Sequence, residues 1–161
     1  MAFELPKTSA SSLSYPALLA SARSLLEGES DFIANLANVS ALLFHALPNV
    51  NWVGFYLWKD GELVLGPFQG KPACTRIALG RGVCGTAALR RVNLVVDDVS
   101  QFQDHIVCDS DSRSEMVLPL LVDGALIGVL DIDSPQKARF TPDDEQGLSP
   151  LVALLSQHLK R

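Results

Sequence analysis

The sequence predicts an α+β domain in which a central antiparallel sheet carries helices on one face and a ligand pocket on the other. Three patterns support this. Two pairs of strand-like runs are joined through Asp60-Gly61 and Asp123-Gly124, so the strands pair as hairpins rather than through parallel crossovers. Segments of helical period lie at both ends of the chain. The first strand-like run is apolar on both faces, with Trp52, Tyr56 and Trp58 on one and Val53, Phe55 and Leu57 on the other. Both faces therefore need cover, one by helices and the other by a pocket or loops.

A length of 161 residues bounds the chain to one ordinary domain. Residues 1–14 read as a loosely ordered arm and residues 15–161 as the single folded unit. A first helix is expected over Tyr15 to Glu27, ending before Gly28. In the next segment Ile33, Leu36, Ala37, Ser40, Leu43, Phe44 and Leu47 recur at three- and four-residue spacing and Pro48 follows, which predicts an amphipathic helix. The period changes to two from Asn51, and Asp60-Gly61 turns the chain into a second strand over Glu62–Phe68.

Residues 80–91 read as a glycine-rich loop feeding a short helix, and Leu94–Val96 as a strand. A polar loop then runs from Asp97 to about Arg113, a length that marks functional loops in compact domains. Ser114–Val122 and Ala125–Asp133 form the second hairpin. Thr141-Pro-Asp-Asp-Glu opens the last helix with an N-cap Thr, Pro at the first helical position and acids at the positive end. Leu148, Leu151, Val152, Leu155 and Leu159 supply its buried stripe.

Apolar residues form 48% of the chain and charged residues 19%, which suits a globular core and not a disordered tail. A net charge of -5 without a Lys/Arg cluster leaves no electrostatic footprint for nucleic acid or an anionic membrane. The N-terminus lacks the pattern of a signal peptide, and no apolar run approaches the ~20 residues of a membrane span. A cytoplasmic location is expected, where cysteines remain free thiols.

Cys74, Cys84 and Cys108 contain no CxxC pair, and His105 with Cys108 is the one close Cys/His pair, so no metal site is expected. A cysteine within a strand is commonly a small buried hydrophobe. Cys108 fits that role least, because it sits in the long polar loop. Its neighbours Asp104, Asp109 and Asp111 would raise its thiol pKa unless Arg113, backbone donors or substrate compensate. Cys84 follows Gly80-Arg81-Gly82-Val83 at a helix start, where the helix dipole favours a thiolate.

Asp131 and Asp133 stand two apart in a strand and so share a face. Whether Glu115 joins them depends on register. A two-residue Asp123-Gly124 loop sets Glu115 opposite Ile132, on the wrong face; a three-residue loop with a Gly124 bulge sets it opposite Asp131. A shared acidic site therefore requires a bulge at Gly124, or a compensating one near Pro119.

The hairpins, the Gly82-Val-Cys-Gly85 turn and the terminal helix resemble a GAF domain. Asn51-Trp-Val-Gly-Phe-Tyr56, Gly66-Pro-Phe-Gln-Gly-Lys-Pro-Ala-Cys74, Gly82-Val-Cys-Gly85, His105-Ile-Val-Cys-Asp109 and Ser114-Glu-Met-Val-Leu-Pro119 resemble, in order, the motifs of free methionine-(R)-sulfoxide reductases. That resemblance implies a cofactor-free oxidoreductase in which Cys108 attacks the sulfoxide sulfur and is left as a sulfenic acid. It implies that Cys84 resolves this as a disulfide, ranked above Cys74, which takes part in thiol exchange, and that thioredoxin restores the dithiols. Glu115, Asp131 and Asp133 match the family's pocket acids, with Glu115 as proton donor, and Trp52 and Tyr56 match its aromatic wall. A homodimer is implied as well. The alternative is a GAF module that senses a small ligand without turnover.

Overall fold

The computed structural model describes residues 14–106 and 108–159. The expected arm lies outside the described residues except for Ser14, whose hydroxyl accepts from the Ala17 amide and caps α1 (Tyr15–Leu26). Asp31 caps α2 (Phe32–Ala46) through the Ala34 amide. Six strands follow: β1 (Trp52–Lys59), β2 (Glu62–Gly70), β3 (Arg76–Ala78), β4 (Leu94–Val96), β5 (Ser114–Val122) and β6 (Ala125–Ser134). Helix α3 (Gly82–Arg90) lies between β3 and β4, and α4 (Pro142–His158) closes the chain.

The strands form one sheet in the order β3-β2-β1-β6-β5-β4, every adjacent pair antiparallel. Both hairpin turns have the left-handed backbone that Asp-Gly accommodates, with φ of 50° and 85° at Asp60 and Gly61 and 50° and 79° at Asp123 and Gly124. The hydrophobic pattern does not mark β3, a three-residue edge strand whose side chains read exposed, buried, exposed.

The two faces of β1 separate as expected. Val53, Phe55 and Leu57 join Met116, Leu118, Leu130 and Ile132 beneath α1, α2 and α4 in the main core. Trp52 and Tyr56 face the other way, with Val117, Val129 and the Val83, Cys84 and Ala87 side of α3. Helices therefore cover both sheet faces, three on one and α3 on the other, and the space beside α3 becomes the site. No helix among the described residues is long and apolar enough to cross a membrane.

A buried polar latch joins the ends of the chain. Asp144 forms a capping box with Thr141, pairs with Arg139 at 3.0 Å and accepts from the Tyr15 hydroxyl, tying α4 to α1. Burial, reinforced by the Asp144 hydrogen bond, keeps Tyr15 a neutral phenol. Asp144→Ala strands Arg139 and removes the cap. It should lower stability by about 3 kcal/mol, seen as a lower urea midpoint with an unchanged slope.

Candidate active site

Register decides which side chains meet. β5 and β6 are joined by the two-residue turn, with Val122 opposite Ala125, but the pairing slips where Leu120 faces Gly128 and Leu121 faces Leu126. Ile127 is the extra residue, next to the Pro119 position where compensation was expected. The bulge flips the remaining register by one, so Glu115 faces Asp133 and Val117 faces Asp131. β1 continues the row on the other side, with Trp52 opposite Asp133 and Gly54 opposite Asp131. Trp52, Asp133 and Glu115 thus lie side by side on three adjacent strands, at the ~5 Å spacing of cross-strand neighbours.

Gly54 makes this row possible. A Cβ there would stand 2.3 Å from the Phe68 Cβ and 2.8 Å from the Trp52 ring. With that space free, Trp52 stacks on Phe68 at 5.2 Å between centroids and on Tyr56 at 5.9 Å. The Trp52 indole N–H donates to the Lys71 carbonyl at 3.1 Å and the Tyr56 hydroxyl to the Cys74 carbonyl at 3.0 Å. The aromatic wall is therefore held by the same segment that carries Cys74. Burial, with the negative charge of Asp131 next, raises the Tyr56 pKa and keeps the phenol neutral.

α3 brings Cys84 over this row. Its Sγ lies 3.9 Å from Glu115 Oε2, and Cys84 is 5% exposed. Glu115 and Asp131 are buried, only 8% and 5% exposed, and Asp133 is half-buried. Burial pushes all three carboxyls well above the usual range, and their mutual repulsion adds to it: Asp131 acts on Glu115, Asp133 on Asp131 and Glu115 on Asp133. Each acid therefore takes up a proton more readily than an isolated carboxylate does. Asp131 Oδ1 is buried and has no hydrogen-bond partner among the described residues.

Two expectations about the cysteines are corrected here. Cys108 is bonded to Cys74, with 5.5 Å between Cα atoms, and Cys84 is a free thiol, so the ranking of Cys84 above Cys74 as the partner of Cys108 does not match the observed pairing. The reason is position: Cys74 sits on the segment after β2 that borders the cleft, whereas Cys84 belongs to its floor. Nor does the start of α3 favour a Cys84 thiolate. Burial, followed by the charges of Asp131, Glu115 and Asp133, pushes this thiol well above its ordinary value.

The Cys108 loop is anchored by a residue to which sequence reasoning gave no role. The Asn51 amide N–H group donates to Asp109 Oδ2 at 3.3 Å and to Ser112 Oγ at 3.1 Å, while its backbone N–H donates to the Asp133 carbonyl. Its place immediately before Trp52, a polar amide at a strand entrance, is the signal that was there to read. On the exposed rim Lys71 pairs with Asp111 at 2.7 Å, linking the two segments that the disulfide also joins. Lys71 lowers the Asp111 pKa, and burial lowers that of His105. Two of the acids near Cys108 are thus partnered.

Trp52, Tyr56, Cys84, Cys108, Glu115, Asp131 and Asp133 all line one cleft of about 540 Å³ including its open mouth, with Arg81, His105 and Ile106 completing its wall. Cys74 contributes its bond to Cys108 and its carbonyl to Tyr56. The arrangement sets a disulfide at the rim, a buried acid cluster on the floor and an aromatic wall between them.

The GAF domain model matches residues 31–159. The chain is 58% identical over 135 residues to the free methionine-R-sulfoxide reductase of Escherichia coli (strain K12), covering 84% of this chain and 82% of that protein. The fRMsr of Staphylococcus aureus, solved in complex with substrate, superposes with a TM-score of 0.90 at 48% identity, over 95% of this chain and 100% of that one. The free methionine-R-sulfoxide reductase of Neisseria meningitidis, also solved with its substrate, gives 0.91 at 45% identity, over 98% and 95%. By this domain match, and by identity and superposition over nearly its whole length, the chain belongs to the GAF-domain family and, within it, to the free methionine-R-sulfoxide reductases.

Proposed function

We propose that the chain reduces free L-methionine-(R)-sulfoxide to L-methionine by thiol chemistry, with Cys108 as nucleophile and Cys74 as resolving thiol. The observation that carries this reading is the Cys74–Cys108 disulfide beside a cleft whose floor is a buried carboxyl cluster. In the reduced enzyme the Cys108 sulfur attacks the sulfoxide sulfur while Glu115 protonates the sulfoxide oxygen. Collapse transfers that oxygen to Cys108 as a sulfenic acid and releases methionine. The Cys74 thiol then displaces the oxygen as water, forming the disulfide, and thioredoxin returns both thiols by exchange.

Substrate selection follows from the floor and wall. Asp131 Oδ1, a buried acceptor with no partner among the described residues, is suited to an α-ammonium, as is Asp133 beside it. Trp52 and Tyr56 receive the S-methyl end. A peptide-bound methionine has no free ammonium to offer these acids. The same reading makes the enzyme a cytoplasmic homodimer that uses no bound cofactor.

The test is thioredoxin-coupled turnover of free L-methionine-(R)-sulfoxide beside the (S)-epimer and a peptide-bound sulfoxide. Turnover confined to the free (R)-epimer is expected. Equal rates on all three would defeat the specificity, and binding without turnover would restore the sensor reading. Cys84→Ser should keep cycling past one equivalent, because the resolving pair is intact; a stall after the first turnover would return the resolving role to Cys84.

A further inference from the structure

We propose that the cleft floor is also a binding site for a divalent, sulfur-preferring cation, held by Cys84, Glu115 and Asp131. One ligand atom from each of these buried residues comes within 4.8 Å of the other two, and Cys84 Sγ to Glu115 Oε2 is 3.9 Å. A tetrahedral ion with metal–sulfur and metal–oxygen bonds of about 2.3 and 2.0 Å needs its ligand atoms at roughly 3.5 Å. Side-chain shifts of about an ångström close that difference, and three protein ligands leave the fourth position open toward the cleft.

A second observation points to a ligand. Asp131 is 5% exposed, the groups its carboxyl meets are the Glu115 and Asp133 carboxyls and the Cys84 thiol, and its buried Oδ1 has no N–H or cationic donor among the described residues, though buried carboxylate oxygens normally have one. A sulfur donor beside two carboxylates selects borderline and soft ions such as zinc and cadmium over magnesium or calcium. Binding exchanges the Cys84 proton, and any proton shared by the two carboxyls, for the ion, and these protons pass to solvent. The ion is not part of the reductase cycle. On the function proposed above it would occupy the seat of the substrate ammonium, so an ion bound there would compete with substrate.

Cadmium, titrated into the oxidised protein, tests this without any turnover. There Cys74 and Cys108 are bonded and Cys84 is the free thiol, so a sulfur-to-cadmium charge-transfer absorption reports Cys84 alone. The band should saturate at one equivalent per chain and be lost in Cys84→Ser. Glu115→Gln and Asp131→Asn should each weaken binding more than about 10-fold, since losing even an outer-shell partner costs that much. In the unaltered protein, cadmium-edge X-ray absorption should show one sulfur among oxygen neighbours. No band, a band surviving Cys84→Ser, unweakened binding in both carboxylate variants, or a shell without sulfur would overturn the site. If the site behaves as stated but L-methionine-(R)-sulfoxide fails to displace cadmium, the ammonium seat is wrong and the cation site stands.

Discussion

Cys108→Ser should eliminate methionine formation, with kcat/KM falling by about 10⁴ or more, the scale of losing a covalent nucleophile. A serine hydroxyl has neither the sulfur nucleophilicity nor the capacity to take the oxygen. Cys74→Ser should fail differently. Its nucleophile is intact, so one equivalent of methionine forms in a burst and the enzyme stops with a sulfenic acid on Cys108 that dimedone can trap. The two variants are distinguished by mixing reduced protein with excess substrate and counting methionine per chain: none for Cys108→Ser, about one for Cys74→Ser. Normal cycling by Cys108→Ser would remove the nucleophile assignment, and normal cycling by Cys74→Ser would hand resolution to Cys84. Neither serine disturbs the Tyr56 contact, which uses the Cys74 carbonyl rather than its sulfur.

These cysteine roles show where sequence reasoning stopped. Local chemistry was readable: Asp60-Gly61 and Asp123-Gly124 adopt the left-handed turns their residue types suit, and the last helix starts at the Thr141 cap that its Thr-Pro-Asp-Asp-Glu run announces, whereas the Ser14 and Asp31 caps went unread. The two faces of β1 were readable from a period of two, because each strand side chain points opposite to the next. The pairing of Cys108 was not. It depends on how close two irregular segments, 34 residues apart, come in space, and no local pattern reports that distance.

The acid cluster lies between these cases. Alternation placed Asp131 and Asp133 on one face, and hairpin geometry narrowed Glu115 to a choice of registers. A bulge leaves no mark of its own in composition, and Ile127 is an ordinary strand residue that happens to be the unpaired one. The requirement for a bulge was derivable and its place narrowed to Gly124 or the neighbourhood of Pro119; only the fold chose between them. The Cys84 environment was missed for a related reason, because a helix start seen alone favours a thiolate and only the folded sheet brings three carboxyls beneath it.

Glu115→Gln is the second large effect, and it separates activity from stability. Gln keeps the shape and a hydrogen-bond donor but has no proton to transfer, so kcat should fall by about 10²–10⁴. In the unaltered enzyme kcat should decline as pH rises and the cluster loses its shared protons, with an apparent pKa that belongs to the acids jointly. The residual rate of Glu115→Gln should lack this decline or show it displaced. Stability should move the other way. Because the folded-state pKa of Glu115 lies above its ordinary value, the native protein binds more protons than the unfolded chain across that interval, and stability falls as pH rises through it. Glu115→Gln removes one of the interacting charges, so the variant should unfold at a higher temperature than the parent, by a margin that widens from pH 5 to pH 8. Thermal melts at the two pH values, beside the pH profile of kcat, check both halves. A variant that is less stable at pH 8 would mean that the carboxylate is held by compensating contacts, and its role as proton donor would fail with that result.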